Sequence, residues 1–254
     1  MRILVCIKRV PAPGARISVT ADGQAVDSAN LGFTISPHEE CALEAALQLV
    51  EAGSGSVTAL TLGPDAAEEQ LRYAASLGVH AAVLLPSGDH EWDPQRSACA
   101  ISAAISALEA RDGTFDLVLF GNDSADAGGF QVGIRCARAL GRPMVTGAKG
   151  LTVTGATARV EREIDGTREV YELPLPALVG VKEGINLPRY PTMKGRLASR
   201  KAVVDTAEPE GEPGGQTMVE LLPPPEAESR LVVLGEGPAA VPALVAVMQE
   251  RGLL

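Results

Sequence analysis

The first two thirds of the chain alternate between short apolar runs and longer segments in which apolar residues recur at helical spacing. Continuous apolar runs predict four buried strands, at residues 3–7, 56–61, 81–85 and 117–120. Helical patterns separate and follow these runs, from Ser36 to Gly53, up to Leu77, over 94–110 and over 131–140. This order predicts an α/β fold with a mostly parallel sheet, right-handed crossovers and helices on both faces.

The pattern changes after residue 150. Apolar and polar residues alternate over 151–154, 159–164 and 167–173, with Asp165 and Gly166 between the last two segments. This predicts an antiparallel meander, which is followed by an apolar strand at 177–181. A separate exposed hairpin is predicted near the N-terminus, where 16–20 and 24–27 flank Asp22 and Gly23.

The composition shifts again beyond Lys201. Residues 207–215 and 221–228 are rich in Pro, Glu and Gly, which predicts a linker that packs no core. A strand-like apolar run at 231–234 and a helix at 239–251 end the chain. We therefore expect an α/β domain over 1–204, then a linker and an extended C-terminal arm over 205–254. The arm docks on another subunit or folds back on its own domain.

Two local signals mark a candidate binding site. Ser36-Pro37-His38-Glu39 is a helix start, with Ser as the N-cap, Pro at the first helical position and Glu three residues after the cap. The glycine-rich segment 121–133 joins a buried strand to a helix, so backbone N–H groups and a helix N-terminus are aimed at one point. That arrangement suits a phosphate, although the spacing is neither GxGxxG nor a Walker A motif. The alternative is a tight connection that needs glycine only for positive φ values.

Charge and composition narrow the possible partners. The 254 residues carry a formal net charge of −10, so we expect no binding to nucleic acid. No apolar stretch reaches the length of a membrane span, so no membrane insertion is expected. Cysteines at positions 6, 41, 99 and 136 lie in apolar segments without ligand spacing, which predicts buried thiols in a cytoplasmic protein, with neither a disulfide nor a metal site.

Five segments, in register, resemble the beta subunit of electron transfer flavoproteins. They are Lys8-Arg9-Val10-Pro11, the helix start and its continuation over 36–44, the glycine-rich segment 121–133, Val160-Glu-Arg-Glu-Ile-Asp-Gly166 with 172–179, and Asn186-Leu-Pro-Arg-Tyr-Pro191. The resemblance covers about residues 2–204, and residues 205–254 match least.

The chain departs from the family pattern at several site positions. Ser36 stands where Asn is usual, His38 where an aromatic or acidic residue is usual, and Gly128 where a second Asp is usual. Asn122 and Asp123 replace Lys or Arg followed by Gln. Ser caps a helix as well as Asn does, but Asp123 adds a negative charge close to the expected phosphate. The identity of the ligand therefore stays open.

The resemblance implies a function and a set of cofactors and partners. It implies a Rossmann-like fold of the adenine nucleotide alpha hydrolase-like kind, and a heterodimer with an alpha subunit that shares one FAD. The pair would carry electrons from acyl-CoA or other flavin dehydrogenases to a quinone oxidoreductase or another acceptor. This chain would hold AMP or a second FAD, and it would be no enzyme in itself, without catalytic residues.

The resemblance also implies site residues. The nucleotide would contact the first strand, the helix start, the second strand and the glycine-rich segment. The expected nucleotide-binding residues are Cys6, Ser36, Pro37, His38, Glu39, Leu62, Gly121, Asn122, Asp123, Ser124, Ala125, Asp126, Gly128, Gly129, Phe130, Gln131, Val132 and Gly133. Segment 186–197 resembles a loop that docks partner dehydrogenases, with Arg189, Tyr190, Met193 and Leu197 as the expected contacts.

Two other functions fit the same fold class. One is a stand-alone adenine-nucleotide-binding sensor of the universal-stress type. The other is an adenylating or phosphate-transferring enzyme, which the lack of a Walker A motif and of a catalytic Lys- or His-bearing loop disfavours. The meander and the Pro-rich tail favour the subunit over the sensor, because a minimal sensor needs neither.

Overall fold

The computed structural model describes residues 1–88, 91–223, 225 and 231–254. Its strands are β1 (Arg2–Cys6), β2 (Val10–Pro11), β3 (Phe33–Thr34), β4 (Ser56–Gly63), β5 (Ala81–Pro86), β6 (Leu117–Gly121), β7 (Met144–Thr154), β8 (Thr157–Ile164), β9 (Thr167–Pro174), β10 (Ala177–Val181) and β11 (Val204–Thr206). Its α-helices are α1 (Pro37–Glu51), α2 (Glu68–Leu77), α3 (Pro94–Asp112), α4 (Val132–Leu140), α5 (Met193–Ser199) and α6 (Val241–Glu250).

One sheet organises the fold, in the order β11-β5-β4-β1-β6-β10-β7-β8-β9. The strands from β11 to β7 pair in parallel, and β8 and β9 continue the sheet as the antiparallel meander. Neighbouring side chains of the central strand face opposite ways. Ile3 and Val5 join a core with α1 and α2, while Leu4 and Cys6 join a core with α3 and α4. The predicted α/β fold, with helices on both faces of a mostly parallel sheet, is confirmed.

Two strand predictions near the ends of the chain are wrong. The hairpin predicted from 16–20 and 24–27 forms only one antiparallel bridge, between Val19 and Val26. An isolated pair of polar strands without a third strand or a covering helix has too little apolar surface to form a longer ladder. The apolar run 231–234 forms no strand, because it pairs with no neighbouring strand among the described residues.

The hydrophobic pattern did not predict the very short strands, nor the full length of a strand that pairs in parallel with one neighbour and antiparallel with the other. The sheet of β2 and β3 and the edge strand β11 have only two or three residues each. Strand β7 begins at Met144, well before the predicted 151, because its first half pairs in parallel with β10 and only its second half belongs to the meander. Helix α6 is shorter than predicted, since Gly237–Ala240 forms a 3₁₀ turn before it.

The thiols differ from the prediction in one case. Cys6, Cys41 and Cys136 are buried, but Cys99 is exposed because it lies on the outer face of α3. Among the described residues no helix is both long and apolar enough to cross a membrane. Residues 207–215 of the predicted linker lack regular structure; in its second part, residues 224 and 226–228 lie outside the described residues.

Candidate functional site

The candidate site lies at the edge of the sheet where the parallel strands end. Cys6 pairs in register with Leu60 of β4 and with Phe120 of β6, and Gly121 pairs with Val181 of β10. Carboxyl ends of parallel strands form the edge at which ligands bind in open α/β sheets. The ends of β1, β4 and β6, with Cys6, Leu62 and Gly121, therefore lie along one edge, as the motifs predicted.

The N-terminus of α1 completes this edge. Ser36 is its N-cap and Pro37 its first residue. The buried carboxylate of Glu39 accepts the N–H of Ser36 at 3.2 Å and the N–H of Lys8 at 3.0 Å, both through Oε2. Glu39 thus joins the start of α1 to the chain that follows β1.

Gly121 is required where β6 passes this helix start. A Cβ atom at Gly121 would lie 2.7 Å from Cγ of Glu39 and 3.3 Å from the Glu39 nitrogen and from Cβ of His38. Any larger residue would push β6 and α1 apart. The close contact also excludes water from Glu39, and burial raises the pKa of Glu39 to about 8, although the two N–H donors and the Lys8 ammonium lower it in part.

The glycine-rich loop, residues 121–133, is fastened to the end of β1 by an ion pair. Nζ of Lys8 lies 2.7 Å from Oδ2 of Asp126 and also bonds Glu91. Burial lowers the pKa of Lys8, but the two carboxylates outweigh this and the pKa lies above its usual value. Burial likewise opposes the ionised form of Asp126, but Lys8, Ser124 and the N–H of Ala127 hold the pKa of Asp126 below its usual value. Asp126 therefore orders the loop as a carboxylate.

Residues that depart from the family pattern meet one another around Asp123. Nε2 of His38 lies 3.2 Å from Oδ1 of Asp123, Nδ2 of Asn122 donates to the same oxygen at 3.1 Å, and Oγ of Ser36 donates to the Asp123 carbonyl at 3.4 Å. Nδ1 of His38 accepts the N–H of Glu183 at 2.8 Å, so a neutral His38 carries its proton on Nε2 and donates it to Asp123. The carboxylate of Asp123 is thus hydrogen-bonded within the protein.

The far half of the loop leads into a helix start that no side chain caps. Gly128 has a φ of +53° and exposed Phe130 a φ of +54°, so the chain doubles back before α4. A Cβ at Gly129 would meet nothing within 4 Å among the described residues. Gln131, the N-cap of α4, makes no side-chain cap, because its Oε1 accepts from Arg135 at 3.0 Å. The first N–H groups of α4 remain available to an anion.

Gly133 has a different role from the rest of the loop. A Cβ there would lie 2.8 Å from Cε of Met144 and 3.3 Å from the ring of Phe120. Gly133 therefore lets α4 pack closely on β6. Of the remaining predicted loop residues, Ala125 lies in the turn just before Asp126 and Val132 is the first residue of α4.

Three charged residues of this edge were missing from the predicted set. Lys8 belongs to a recognised motif and directly follows a buried strand, which is a signal that a charged side chain stands at the sheet edge. Glu91 and Glu183 carry no such signal in the sequence. They reach the site only because the loop before α3 and the turn after β10 converge on it.

The second predicted site, segment 186–197, lies beyond β10 against α1 and α2. Tyr190, Met193 and Leu197 are exposed by 89%, 75% and 59%, and Leu187, which the sequence did not single out, by 89%. The predicted loop contains the start of α5, which Thr192 caps by accepting the N–H of Gly195 at 3.0 Å. The segment therefore presents apolar side chains from a short helix and the loop before it.

Arg189 differs from its exposed neighbours. Its guanidinium donates to both oxygens of Glu44, at 2.7 and 3.1 Å, and to both oxygens of Glu51, at 2.6 and 2.8 Å. These bonds raise the pKa of Arg189 and lower the pKa of Glu51, and they lower the pKa of Glu44 although its burial opposes this. The structure places Arg189 as an anchor of the segment on α1.

Comparisons with known proteins identify the family of this chain. The family model of the electron transfer flavoprotein domain matches residues 25–211. "Electron transfer flavoprotein subunit beta" of Bacillus subtilis (strain 168) is 32% identical over 240 residues, covering 91% of each chain. The protein of the same name from Mycobacterium leprae (strain TN) is 36% identical over 208 residues, covering 80% of this chain and 77% of its own. "Electron transfer flavoprotein subunit beta, mitochondrial" of Oryza sativa subsp. indica is 31% identical over 240 residues, covering 92% and 93%. The chain therefore belongs to the electron transfer flavoprotein beta-subunit family.

Proposed function

We propose that this chain pairs with an alpha subunit to form an electron carrier between flavin-dependent dehydrogenases and a quinone oxidoreductase or another acceptor. Membership of the family supports the electron-transfer role. The observation that carries the proposal is the glycine-rich loop, which Asp123 and Asp126 tie to α1 and to the end of β1 while the start of α4 has no side-chain cap.

The nucleotide proposed for this chain is AMP or a second FAD. Its phosphate would lie against Gly129 and the first turn of α4, where the helix start has no side-chain cap and a Cβ at Gly129 would meet none of the described residues within 4 Å. Its adenosine end would lie along Cys6, the α1 start and Leu62. The redox chemistry belongs to the FAD shared with the alpha subunit, which accepts and passes on electrons when it is bound.

The residues of this chain bind the nucleotide and hold the loop around it in place. None of them is assigned a step in which a covalent bond forms or breaks. Lys8 holds Asp126 so that the loop keeps its shape, and it is shared with Glu91, so its charge is balanced before any phosphate arrives. Glu39 fixes the α1 start against β6. The phosphate is thus held by backbone dipoles more than by a cation, which matches the replacement of Lys or Arg by Asn122.

The C-terminal arm supplies a surface for the alpha subunit. No residue of α6 is buried, and Leu231, Val232 and Val233 are exposed. An apolar helix and an apolar strand-like run without cover on one chain are typical of a segment that docks on a partner. We assign this role to residues 231–254 and the α/β domain to 1–204.

The docking segment, residues 186–197, supplies a surface for the dehydrogenases. Exposed Tyr190, Met193 and Leu197 share one stretch of sequence with the basic residues Lys194, Arg196, Arg200 and Lys201, in a chain whose net charge is −10. Such a patch fits a partner with an apolar pocket and an acidic rim.

Co-expression tests the proposal. This chain is produced alone and together with the alpha subunit of the same organism, and each product is purified, examined for flavin absorbance and denatured to release bound nucleotide for mass spectrometry. We expect FAD only in the co-expressed heterodimer, together with AMP or a second FAD in one-to-one ratio with this chain. A stable single chain with stoichiometric FAD, or a heterodimer without the additional nucleotide, would contradict the proposal.

A further inference from the structure

The docking segment is fastened to the protein at several points although its apolar side chains are exposed. Besides the Arg189 anchor on α1, Nδ2 of Asn186 donates to the Cys41 carbonyl at 2.9 Å. Gly195 lies directly on the carbonyl of Ser76, at the end of α2, so closely that a Cβ there would fall well inside van der Waals contact. The backbone of the segment is thus fixed on both α1 and α2.

Arg72 fixes the end of α5 and the residues that follow it, just beyond the docking segment. From α2, its Nη1 donates to the carbonyls of Ser199, Arg200 and Ala202, at 3.1, 3.4 and 3.2 Å. The last carbonyls of a helix lack partners within the helix, and a cation there also complements the helix dipole. Since α5 has only seven residues and buries none of them, helix propensity and burial do not hold it in place.

Glu68 orients Arg72 for this task. Oε1 of Glu68, one turn earlier on α2, accepts from Nε of Arg72 at 2.7 Å, which leaves Nη1 directed at the carbonyls. Thr192 caps the start of α5, and Arg72 closes its end. The helix that carries Met193 and Leu197 is therefore stabilised at both termini by side chains.

We propose that Arg72 is a positioning residue for partner docking, which holds α5 preformed so that Tyr190, Met193 and Leu197 meet an acidic-rimmed, apolar partner surface without prior ordering. This inference rests on the proposed docking function. A preformed surface avoids the entropy loss of ordering side chains and backbone on binding, which is about 0.5–1.5 kcal/mol for each immobilised side chain. Without Arg72 the last turn of α5 frays, and the partner must order it.

The test uses the heterodimer with its alpha subunit and an acyl-CoA dehydrogenase reduced by its acyl-CoA substrate. Arg72→Gln removes the donor to the three carbonyls. Arg111→Gln is the matched control, since Arg111 is an exposed helical arginine that bonds only its neighbour Asp112 among the described residues. We expect Arg72→Gln to raise the KM for the carrier about threefold to tenfold with kcat unchanged. Arg111→Gln should leave both constants unchanged.

Amide hydrogen exchange gives a readout that does not depend on the dehydrogenase. In Arg72→Gln the amides of 196–202 should exchange faster, while those of α1 and the bound nucleotide stay as in the wild type. Faster exchange with an unchanged KM, or unchanged exchange with a raised KM, would overturn the positioning role.

A third variant separates this inference from the proposed docking function. Met193→Ala should raise the KM by about tenfold or more, as loss of an apolar anchor does, without faster exchange in α5. If Met193→Ala leaves the KM unchanged, the docking function itself fails. If Met193→Ala raises the KM and Arg72→Gln does not, only the positioning role fails.

Discussion

The glycine-rich loop and the docking segment are both tied to α1, but they leave opposite groups free. In the loop, the side chain of Asp123 is hydrogen-bonded to His38 and that of Asp126 is ion-paired with Lys8, and the first N–H groups of α4 remain open. In the docking segment the backbone is held by side chains such as Arg72 and Arg189, and apolar side chains remain open. Free backbone donors suit an anion, and free apolar side chains suit a protein. The groups left unsatisfied therefore distinguish a ligand site from a docking site.

The largest effect on stability and nucleotide retention is expected from a larger side chain at the place where β6 contacts α1. Gly121→Val places side-chain atoms against Glu39 and His38, and we expect it to destabilise the heterodimer by about 1–3 kcal/mol or more and to abolish nucleotide retention. Gly129→Val is the matched control for stability, because its Cβ meets open space. It should lower retained nucleotide while the melting temperature changes little.

Melting curves and mass spectrometry of released nucleotide measure both variants. Equal loss of stability in the two variants would show that Gly129 is as tightly packed as Gly121. Full retention in Gly129→Val would show that this part of the loop is only a connection.

The next effect concerns the anchor of the docking segment. Arg189→Met removes the bonds to Glu44 and Glu51 while keeping an unbranched apolar stem, and we expect a loss of about 1–2 kcal/mol at pH 7. The pKa values of both carboxyls are lowered in the folded protein. The advantage of the wild type should therefore be complete above the usual carboxyl pKa and disappear as the pH falls through the lowered values. Melting temperatures of both proteins from pH 7 to pH 3 measure this, and a difference that persists at pH 3 would show that packing, not the ion pair, is responsible.

An effect of opposite sign in pH is expected at Glu39. Its pKa is raised from an ordinary value near 4.5 to about 8 in the folded protein, so ionisation favours the unfolded chain between these values and stability falls as the pH rises. Glu39→Gln keeps one oxygen to accept both N–H groups. It should match the wild-type melting temperature near pH 4.5 and exceed it above pH 8. A variant less stable than the wild type at pH 8.5 would mean that the carboxylate is ionised and stabilised by Lys8.

The sequence predicted what depends on local pattern. Buried strands such as β1 and β6 are continuous apolar runs, and the start of α1 has its cap, its proline and its glutamate in order. It did not predict partners brought together from distant parts of the chain. Nothing local to Asp123 indicates that His38 lies 3.2 Å away, and nothing local to Arg189 indicates Glu44 and Glu51. Both depend on the order of strands in the sheet.

The remaining differences between the predicted and the observed structure come from the short length of some strands and from the surroundings of particular residues. Strands of two or three residues, such as β2 and β11, are too short to show a period, and their pairing is set by neighbours already in place. The segment 16–27 has the turn residues of a hairpin, but its strands pair at one bridge only and have no third strand beside them among the described residues. Arg189 was expected to contact a partner because of the family resemblance, which carries no information about the two carboxylates of α1 that bind it within this chain.

The chain between the sheet and the arm also sets where the arm leaves the domain. Beyond β11, the Gly211 carbonyl accepts from Arg96 at 3.1 Å, the Gly214 N–H donates to Asp93 at 2.9 Å, and the Leu221 N–H donates to Gly23 at 2.8 Å. The described chain is therefore fixed to the domain as far as Leu221, and the arm departs from there and not from β11. For the proposed docking of the arm, this places its point of attachment beside Gly23 and not at the edge of the sheet.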